Sequence, residues 1–260
     1  MICIAEQKYD SELEELDLCK KIHNILLIDI FKKCYNFNNL YSLDISKNNI
    51  KSLPQIIGTL ILLKTLNVSY NRLIFLPNTI GNLKNLNKLY LYNNLLEELP
   101  NSIGQLKNLT ELHVANNQII NLTDKIGELD NLEGLWIYNN YIRIIPNTLC
   151  KLKNLKYLSI SNNKLTELPQ LIGNLTNLIE IYAPYNRFTN LPNSIGQLQN
   201  LYIIYVNSNK LKELPITIIN CLALKKFNYT KNKNLIHKLE LHDFLNKLKE
   251  FKNYEFNNKE

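Results

Sequence analysis

The sequence contains few of the residues that usually build catalytic or metal centres. It has four histidines and seven glycines among 260 residues. Six of the glycines recur at one spacing, so none of them forms a glycine-rich loop that could hold a phosphate group. His237 and His242 are five residues apart, whereas metal ligands on one helix face need a spacing of three or four. We therefore predict no catalytic residue, no metal ligand and no cofactor, and we expect the protein not to be an enzyme.

Long apolar segments and a secretion signal are also missing. No stretch of 18 consecutive apolar residues occurs, which argues against a membrane-spanning helix. The first ten residues, MICIAEQKYD, lack the basic start and apolar run of a signal peptide. The five cysteines are odd in number and show no C-x-x-C spacing. These features favour a reducing, cytoplasmic location without membrane association.

Arginine is scarce, since only Arg72, Arg143 and Arg187 contribute to the 30 basic residues. The net charge of +7 is spread along the chain and forms no patch. Together with the abundance of Asn, Ile, Lys and Tyr, this composition indicates the coding bias of an AT-rich genome. We therefore consider nucleic acid an unlikely partner, although binding of nucleic acid or another acidic surface through dispersed lysines stays an alternative.

What the sequence does have is a 23-residue repeat, written eight times without insertion from residue 40 to residue 223. Its pattern is L-x-x-L-x-L-x-x-N-x-L-x-x-L-P-x-x-I-G-x-L-x-N, and its ninth position carries one asparagine in every repeat. These asparagines are Asn48, Asn71, Asn94, Asn117, Asn140, Asn163, Asn186 and Asn209, with Asn232 continuing the series. Because a chain that turns inward after a strand has backbone groups to pair, we predict a buried, structural asparagine ladder.

The opening L-x-x-L-x-L of each repeat predicts a strand, because its apolar residues alternate with outward residues at period two. A single repeat buries too little apolar surface to offset the entropy of ordering 23 residues, so the repeats must stack. Proline suits the start of the following short helix or turn, and glycine suits its exit. The pattern predicts eight parallel strands, centred near Leu43, Leu66, Leu89, Leu112, Leu135, Leu158, Ile181 and Ile204.

Residues 63–85 (LKTLNVSYNRLIFLPNTIGNLKN) match the pattern throughout, and in these residues the chain resembles a leucine-rich repeat protein. The L-P-x-x-I-G ending is similar to the 23-residue intracellular class of the Ras suppressor proteins. The resemblance implies a right-handed α/β solenoid, with a curved parallel sheet on the concave face and short helical or turn segments on the convex face. It also implies a protein-binding scaffold, with a Ras-type or phosphatase-type regulatory scaffold as an alternative.

The repeats divide the chain into three segments. Residues 1–39 are predicted to be an N-terminal cap, in which Leu13, Leu16 and Leu18 imitate the start of a repeat; a partner-binding helix is the alternative. Residues 40–223 are the eight repeats. Residues 224–260 are predicted to hold a partial ninth repeat, a capping helix from Lys238 to Phe251 and a tail. A membrane-surface role for that helix is the alternative.

The tyrosines of the repeats are concentrated in and just after the predicted strands. All eleven tyrosines of the eight repeats lie within the first ten positions of their repeat, and exposed aromatic side chains anchor protein interfaces. The strand propensity of tyrosine could produce the same bias. We expect a monomer that binds a protein partner on its concave sheet, with Tyr185 and Arg187 at the rim. The candidate binding residues are Tyr90, Tyr92, His113, Trp136, Tyr138, Tyr157, Tyr182, Tyr185, Arg187 and Tyr205.

Overall fold

The computed structural model describes residues 14–20, 39–236 and 241–246. We number the repeats 1 to 8, starting at Leu40. Each one begins with a three-residue strand whose central residue is buried. The strands are β1 (Glu15–Asp17), β2 (Ser42–Asp44), β3 (Thr65–Asn67), β4 (Lys88–Tyr90), β5 (Glu111–His113), β6 (Gly134–Trp136), β7 (Tyr157–Ser159), β8 (Glu180–Tyr182), β9 (Ile203–Tyr205) and β10 (Lys226–Asn228).

The ten strands of the described residues form one open parallel sheet, in which the strands follow the order of the chain. Leu43 pairs with Leu66, and the same 23-residue offset is repeated from β2 to β10. The eight predicted central residues are therefore confirmed. The sheet has one strand more at each end than the eight predicted, because residues 15–17 and 226–228 keep enough of the repeat pattern to extend the ladder.

A 3-10 helix follows each strand from β2 to β9, in agreement with the predicted short helical segments. In seven of these eight helices the residue before the first helical one is the repeat proline or Thr123, in an extended conformation. The helices are Gln55–Thr59, Asn78–Asn82, Asn101–Gln105, Asp124–Glu128, Asn147–Lys151, Ile172–Asn174, Asn193–Gln197 and Ile216–Asn220. Between sheet and helices lies one continuous core of leucine and isoleucine.

The asparagine ladder is buried as predicted from Asn71 to Asn232, which are only 5–8 % exposed, whereas Asn48 at its start is half-buried. Asn140 is typical. Its Nδ2 donates to the carbonyl oxygens of Val114 at 3.0 Å and Ile137 at 3.1 Å, and its Oδ1 accepts from the N–H of Ile119 at 3.0 Å. Since two of these partners lie in the preceding repeat, each asparagine joins two repeats as well as closing its own turn.

A second, exposed asparagine ladder occupies the last position of the repeats. Here each Nδ2 donates to a carbonyl oxygen 24 residues earlier, as from Asn131 to Lys107 at 2.9 Å. The sequence pattern contains these asparagines without indicating their bond. The members are Asn85, Asn108, Asn131, Asn154, Asn177 and Asn200.

Each repeat glycine is the last but one residue of its 3-10 helix, close to the predicted exit. None of them has a positive φ, so the backbone conformation does not require glycine. A β-carbon at Gly58 would lie 2.5 Å from the carbonyl oxygen of Thr79 in the next repeat, so glycine is needed because successive helices approach closely. Cys150 takes the glycine position of repeat 5, and the helix that follows it, Ile172–Asn174, is shorter than the others.

Both ends of the sheet carry further packing. Leu16 and Leu18 are buried in the core, and Asn48 donates to the carbonyl oxygen of Leu18 at 3.0 Å. At the other end, residues 241–246 are helical, and Leu241 and Leu245 are buried. The remaining parts of the predicted caps, including Leu13 and most of the capping helix, lie outside the described residues, so the segment boundaries stay predictions.

Candidate functional site

The candidate binding surface is the outer side of β4 to β9, where the middle residue of each strand is buried and its neighbours point away from the core. We call this surface the sheet face and define it as the third, fifth and seventh residues of repeats 3 to 8. These are Lys88, Tyr90, Tyr92, Glu111, His113, Ala115, Gly134, Trp136, Tyr138, Tyr157, Ser159, Ser161, Glu180, Tyr182, Pro184, Ile203, Tyr205 and Asn207.

Four aromatic rings from four consecutive strands follow one another across the sheet face. The ring centroids of Tyr90 and His113 are 4.7 Å apart, and His113 and Trp136 stack nearly parallel at 4.0 Å. Tyr157 continues the row with its centroid 6.4 Å from that of Trp136. Strand pairing aligns three of these residues, and the row is formed in the absence of a partner.

Gly134 is the one glycine outside the repeat pattern, and the structure shows what it does. A β-carbon at this position would collide with the six-membered ring of Trp136. The indole therefore lies flat over its own strand instead of standing upright on it. This role could not be read from the sequence, because it depends on the conformation of the Trp136 side chain.

A second aromatic group lies on the next two strands, β8 and β9. The rings of Tyr182 and Tyr205 pack edge to face, with centroids 5.4 Å apart. Burial, followed by the neighbouring Glu180 carboxylate, raises the pKa of Tyr182 to about 12, so its hydroxyl keeps its proton at physiological pH. Ser159 and Ser161 separate this pair from the four-ring row, which leaves small polar side chains between two aromatic clusters.

Charged groups cluster at the start of the four-ring row. Glu111 accepts hydrogen bonds from Lys88 at 2.8 Å, from the Tyr90 hydroxyl at 3.2 Å and from His113 Nε2 at 3.3 Å. Burial alone would raise the pKa of Glu111, but the bonds from Lys88 and His113 outweigh it and hold that pKa below its ordinary value. Burial lowers the pKa of His113. At pH 7 the cluster therefore holds a Lys–Glu ion pair beside a neutral imidazole.

The other candidate residues lie beside these clusters. Tyr92 packs edge to face with Tyr70 of the preceding repeat at 5.2 Å, and Tyr138 is half-buried next to the four-ring row. Tyr185 and Arg187 are exposed just past β8, and Tyr185 has a positive φ of 56°. They are not part of either aromatic cluster, and their role at the rim stays a prediction.

The alternation of inward and outward positions is less regular than predicted. Ala115, Ser159 and Ile203 occupy outward positions but are only 1 %, 8 % and 8 % exposed. Each of them lies between strands that carry aromatic side chains. The accessible part of the sheet face is therefore formed largely by the rings themselves.

Within the described residues, one group has the residue types of a metal site: Asp17, Cys19 and Asp44. Both of its carboxylates already accept hydrogen bonds from backbone N–H groups. Asp17 accepts the N–H of Cys19, and Asp44 accepts the N–H of Ser46, each at 2.8 Å. These contacts form ordinary turns at strand ends, and none of them requires a metal.

Family comparisons agree with this architecture. A model described as a leucine-rich repeat region matches residues 15–138 and 143–259, and a single leucine-rich repeat model matches residues 131–152. No curated protein sequence matches the chain. No helix among the described residues has both the length and the apolar character needed to cross a membrane.

Several solved structures are similar to the chain. A leucine-rich repeat protein of Leptospira interrogans has 28 % identity and a TM-score of 0.52, covering 84 % of this chain and 72 % of that one. The Arabidopsis receptor kinase HAESA, in complex with the peptide hormone IDA and the co-receptor SERK1, has 30 % identity and a TM-score of 0.67. That match covers 81 % of this chain and 38 % of the other, so the chain spans well under half of the HAESA chain. A chain of the Drosophila Toll–Spatzle complex is similar in fold, with a TM-score of 0.77, 24 % identity and coverage of 91 % and 32 %.

Proposed function

Because this chain belongs to the leucine-rich repeat family, we propose that it is a non-enzymatic scaffold that binds a partner protein on its sheet face. The observation that carries the proposal is the row of stacked rings formed by Tyr90, His113, Trp136 and Tyr157. Tyrosine and tryptophan are enriched among the residues that dominate binding energy at protein interfaces. A row already ordered by packing loses little further entropy when a partner binds.

The dimensions of the sheet face suit such a role. Six neighbouring strands at a spacing of about 4.8 Å span roughly 24 Å between the first and the last. Tyr182 and Tyr205 extend the aromatic surface beyond the four-ring row. The surface therefore offers two anchoring clusters on one rigid sheet.

The similar structures support the proposal by analogy. HAESA is described in complex with a peptide hormone, and Toll in complex with Spatzle. Both are statements about those proteins. They are consistent with a leucine-rich repeat surface that binds a polypeptide partner.

We further propose that the chain belongs to the 23-residue intracellular class and acts as a monomer in a reducing, cytoplasmic compartment. The class rests on the 23-residue period and the L-P-x-x-I-G ending. Cys19, Cys150 and Cys221 are unpaired thiols. Burial raises the pKa of Cys150 and of Cys221 to about 11, as expected for cysteines that act as small buried hydrophobic residues.

A selection from a random-peptide display library against the wild-type protein would test the proposal. We expect that Trp136→Ala, Tyr138→Ala and Tyr182→Ala each weaken binding of the selected peptides by about 1 kcal/mol or more, with little change in melting temperature. Ile144→Ala serves as the control, because Ile144 is 71 % exposed outside the sheet face.

Two results would contradict the proposal. Wild-type affinity in a variant that combines the three alanine substitutions would place the site elsewhere on the solenoid. Binding that collapses between low and moderate salt, together with preference for an oligonucleotide over the selected peptides, would favour the nucleic-acid alternative.

A further inference from the structure

The strand ends at both edges of the sheet share a hydrogen bond that the central repeats lack. At the edges, the fifth repeat position holds Asp or Asn, and its side-chain oxygen accepts the backbone N–H two residues later. The four bonds are Asp17 to Cys19 (2.8 Å), Asp44 to Ser46 (2.8 Å), Asn67 to Ser69 (3.1 Å) and Asn228 to Thr230 (3.1 Å).

In repeats 3 to 8 the fifth position is aromatic or serine, and this bond disappears. Among the residues that the structure describes, the N–H of the seventh position then has no hydrogen-bond partner in five repeats. In repeat 7 the seventh residue is Pro184, which has no N–H to donate. The five unpartnered donors belong to Tyr92, Ala115, Tyr138, Ser161 and Asn207.

The N–H groups of the seventh position face the outer side of the sheet. The side chains of Asp44 and Asn67 lie on the outer side of the sheet, and their oxygens reach the equivalent N–H groups from there. Ala115 is 1 % exposed, so its N–H is covered. Tyr138 and Ser161 are partly exposed in adjacent repeats, so their N–H groups lie about 4.8 Å apart on neighbouring strands.

Cationic residues follow the strands of repeats 6, 7 and 8. The tenth positions of repeats 6, 7 and 8 are Lys164, Arg187 and Lys210, and all three are at least partly exposed. The carboxylates of the sheet face are Glu111, which is paired with Lys88, and Glu180. Three cations past the strand ends therefore stand against one sheet-face carboxylate that has no ion pair, a balance of charge that favours an anionic ligand.

From these contacts we propose that the sheet face binds an extended, aspartate-rich segment of the partner protein, whose carboxylates accept the N–H groups of Tyr138 and Ser161. The inference rests on the proposed function. Asp44 and Asn67 show within the same molecule what such a ligand group would replace: an oxygen that approaches from the sheet face and closes the turn. Functional sites are where a sequence gives up a local stabilising feature, and here six consecutive repeats lack the Asp or Asn that closes this bond in the edge strands.

The test uses hexa-aspartate as the probe and the full-length protein labelled with nitrogen-15. Amide proton shifts report hydrogen bonding directly, so we expect saturable downfield shifts at Ser161 and Tyr138 and none at Ser69, whose N–H is already bonded. Hexa-lysine is the control peptide. The saturation curves give the affinity of each variant.

Two substitutions remove the donor in different ways. Ser159→Asn gives repeat 6 the Asn-x-Ser arrangement of Asn67 and Ser69, so the protein would cap its own N–H without adding charge. Ser161→Pro deletes the N–H, and Pro184 shows that proline is accepted at this position. We expect each to weaken hexa-aspartate binding about tenfold or more, whereas Ser159→Ala and Ser161→Ala change it less than threefold.

Equal affinity in the asparagine, proline and alanine variants would overturn the inference, as would hexa-aspartate shifts confined to the lysine and arginine side chains. If display-selected peptides lose affinity in Trp136→Ala but keep it in Ser159→Asn and Ser161→Pro, the proposed function stands and the acidic partner is wrong. If neither set of variants affects the selected peptides, both proposals fail.

Discussion

Replacing Asn140 by leucine should destabilise the protein by an amount that the hydrogen bonds of the ladder determine. The Asn140 amide donates to the carbonyl oxygens of Val114 and Ile137, and its Oδ1 accepts the N–H of Ile119. The side chain is 5 % exposed, so water cannot replace these bonds. Leucine has nearly the same size but no polar atom.

The loss of stability depends on which of these backbone groups are left without any hydrogen-bond partner. The carbonyl oxygen of Val114 also accepts Asn117 Nδ2, and that of Ile137 also accepts Asn163 Nδ2. Both carbonyls therefore keep one partner. The N–H of Ile119 has no second acceptor among the described residues, and one buried unpaired donor costs about 1–3 kcal/mol. For a domain of this size that corresponds to a melting temperature lower by about 2–12 °C.

Urea unfolding followed by circular dichroism would measure the effect. Asn121→Leu is the matched control, because Asn121 is an exposed asparagine in a loop of the same array, where substitutions change stability by less than about 0.5 kcal/mol. Equal stability of the two variants would refute the assignment of the ladder as the support of the backbone turns.

Three further predictions concern other parts of the solenoid. Gly127→Ala should lower the unfolding free energy by about 1–3 kcal/mol in urea titrations, because the β-carbon of the alanine would collide with the Thr148 backbone. An unchanged urea midpoint would contradict the close approach of successive helices. The pKa of Cys150 is raised to about 11. The contribution of its protonated thiol to the free energy of unfolding is therefore complete below pH 9 and is lost as the pH rises towards 11. The wild type should therefore lose stability over that range more steeply than Cys150→Ala, and parallel pH profiles would argue against a buried thiol. Deleting residues 236–260 should expose the last core turn and cause aggregation, measured by light scattering, whereas a soluble monomer would show that the segment is no cap.

The strands were predictable because leucine that alternates with polar residues at period two forms a strand with one buried face. Leu66 and Leu89 lie at strand centres for that reason, and the burial of Asn117 follows from the backbone groups that every such turn must pair. The reason why the repeat positions need glycine could not be predicted in the same way. It depends on contacts between residues 21 apart, such as Gly58 and Thr79, which a pattern within one repeat does not contain.

The candidate site was predictable only as a set of outward positions. Alternation placed Tyr90, His113 and Trp136 on one face, but their stacking depends on side-chain conformation and on Gly134 beneath the indole. The unpartnered N–H groups had a visible signal in the sequence. The fifth position changes from Asp44 and Asn67 to aromatic residues at repeat 3, and this change becomes informative once the hydrogen bonds of the edge strands are known.

Site-specific photo-cross-linking tests the central claim, that the sheet face is the binding site, most directly. The photoreactive residue benzoylphenylalanine would replace Tyr138, Tyr182, Ile144 or Leu171, one at a time, and each protein would be irradiated with the same display-selected peptide. We expect cross-links from the first two positions and none from Ile144 or Leu171, which are exposed away from the sheet face. Cross-links from Ile144 or Leu171 without any from Tyr138 and Tyr182 would contradict the claim.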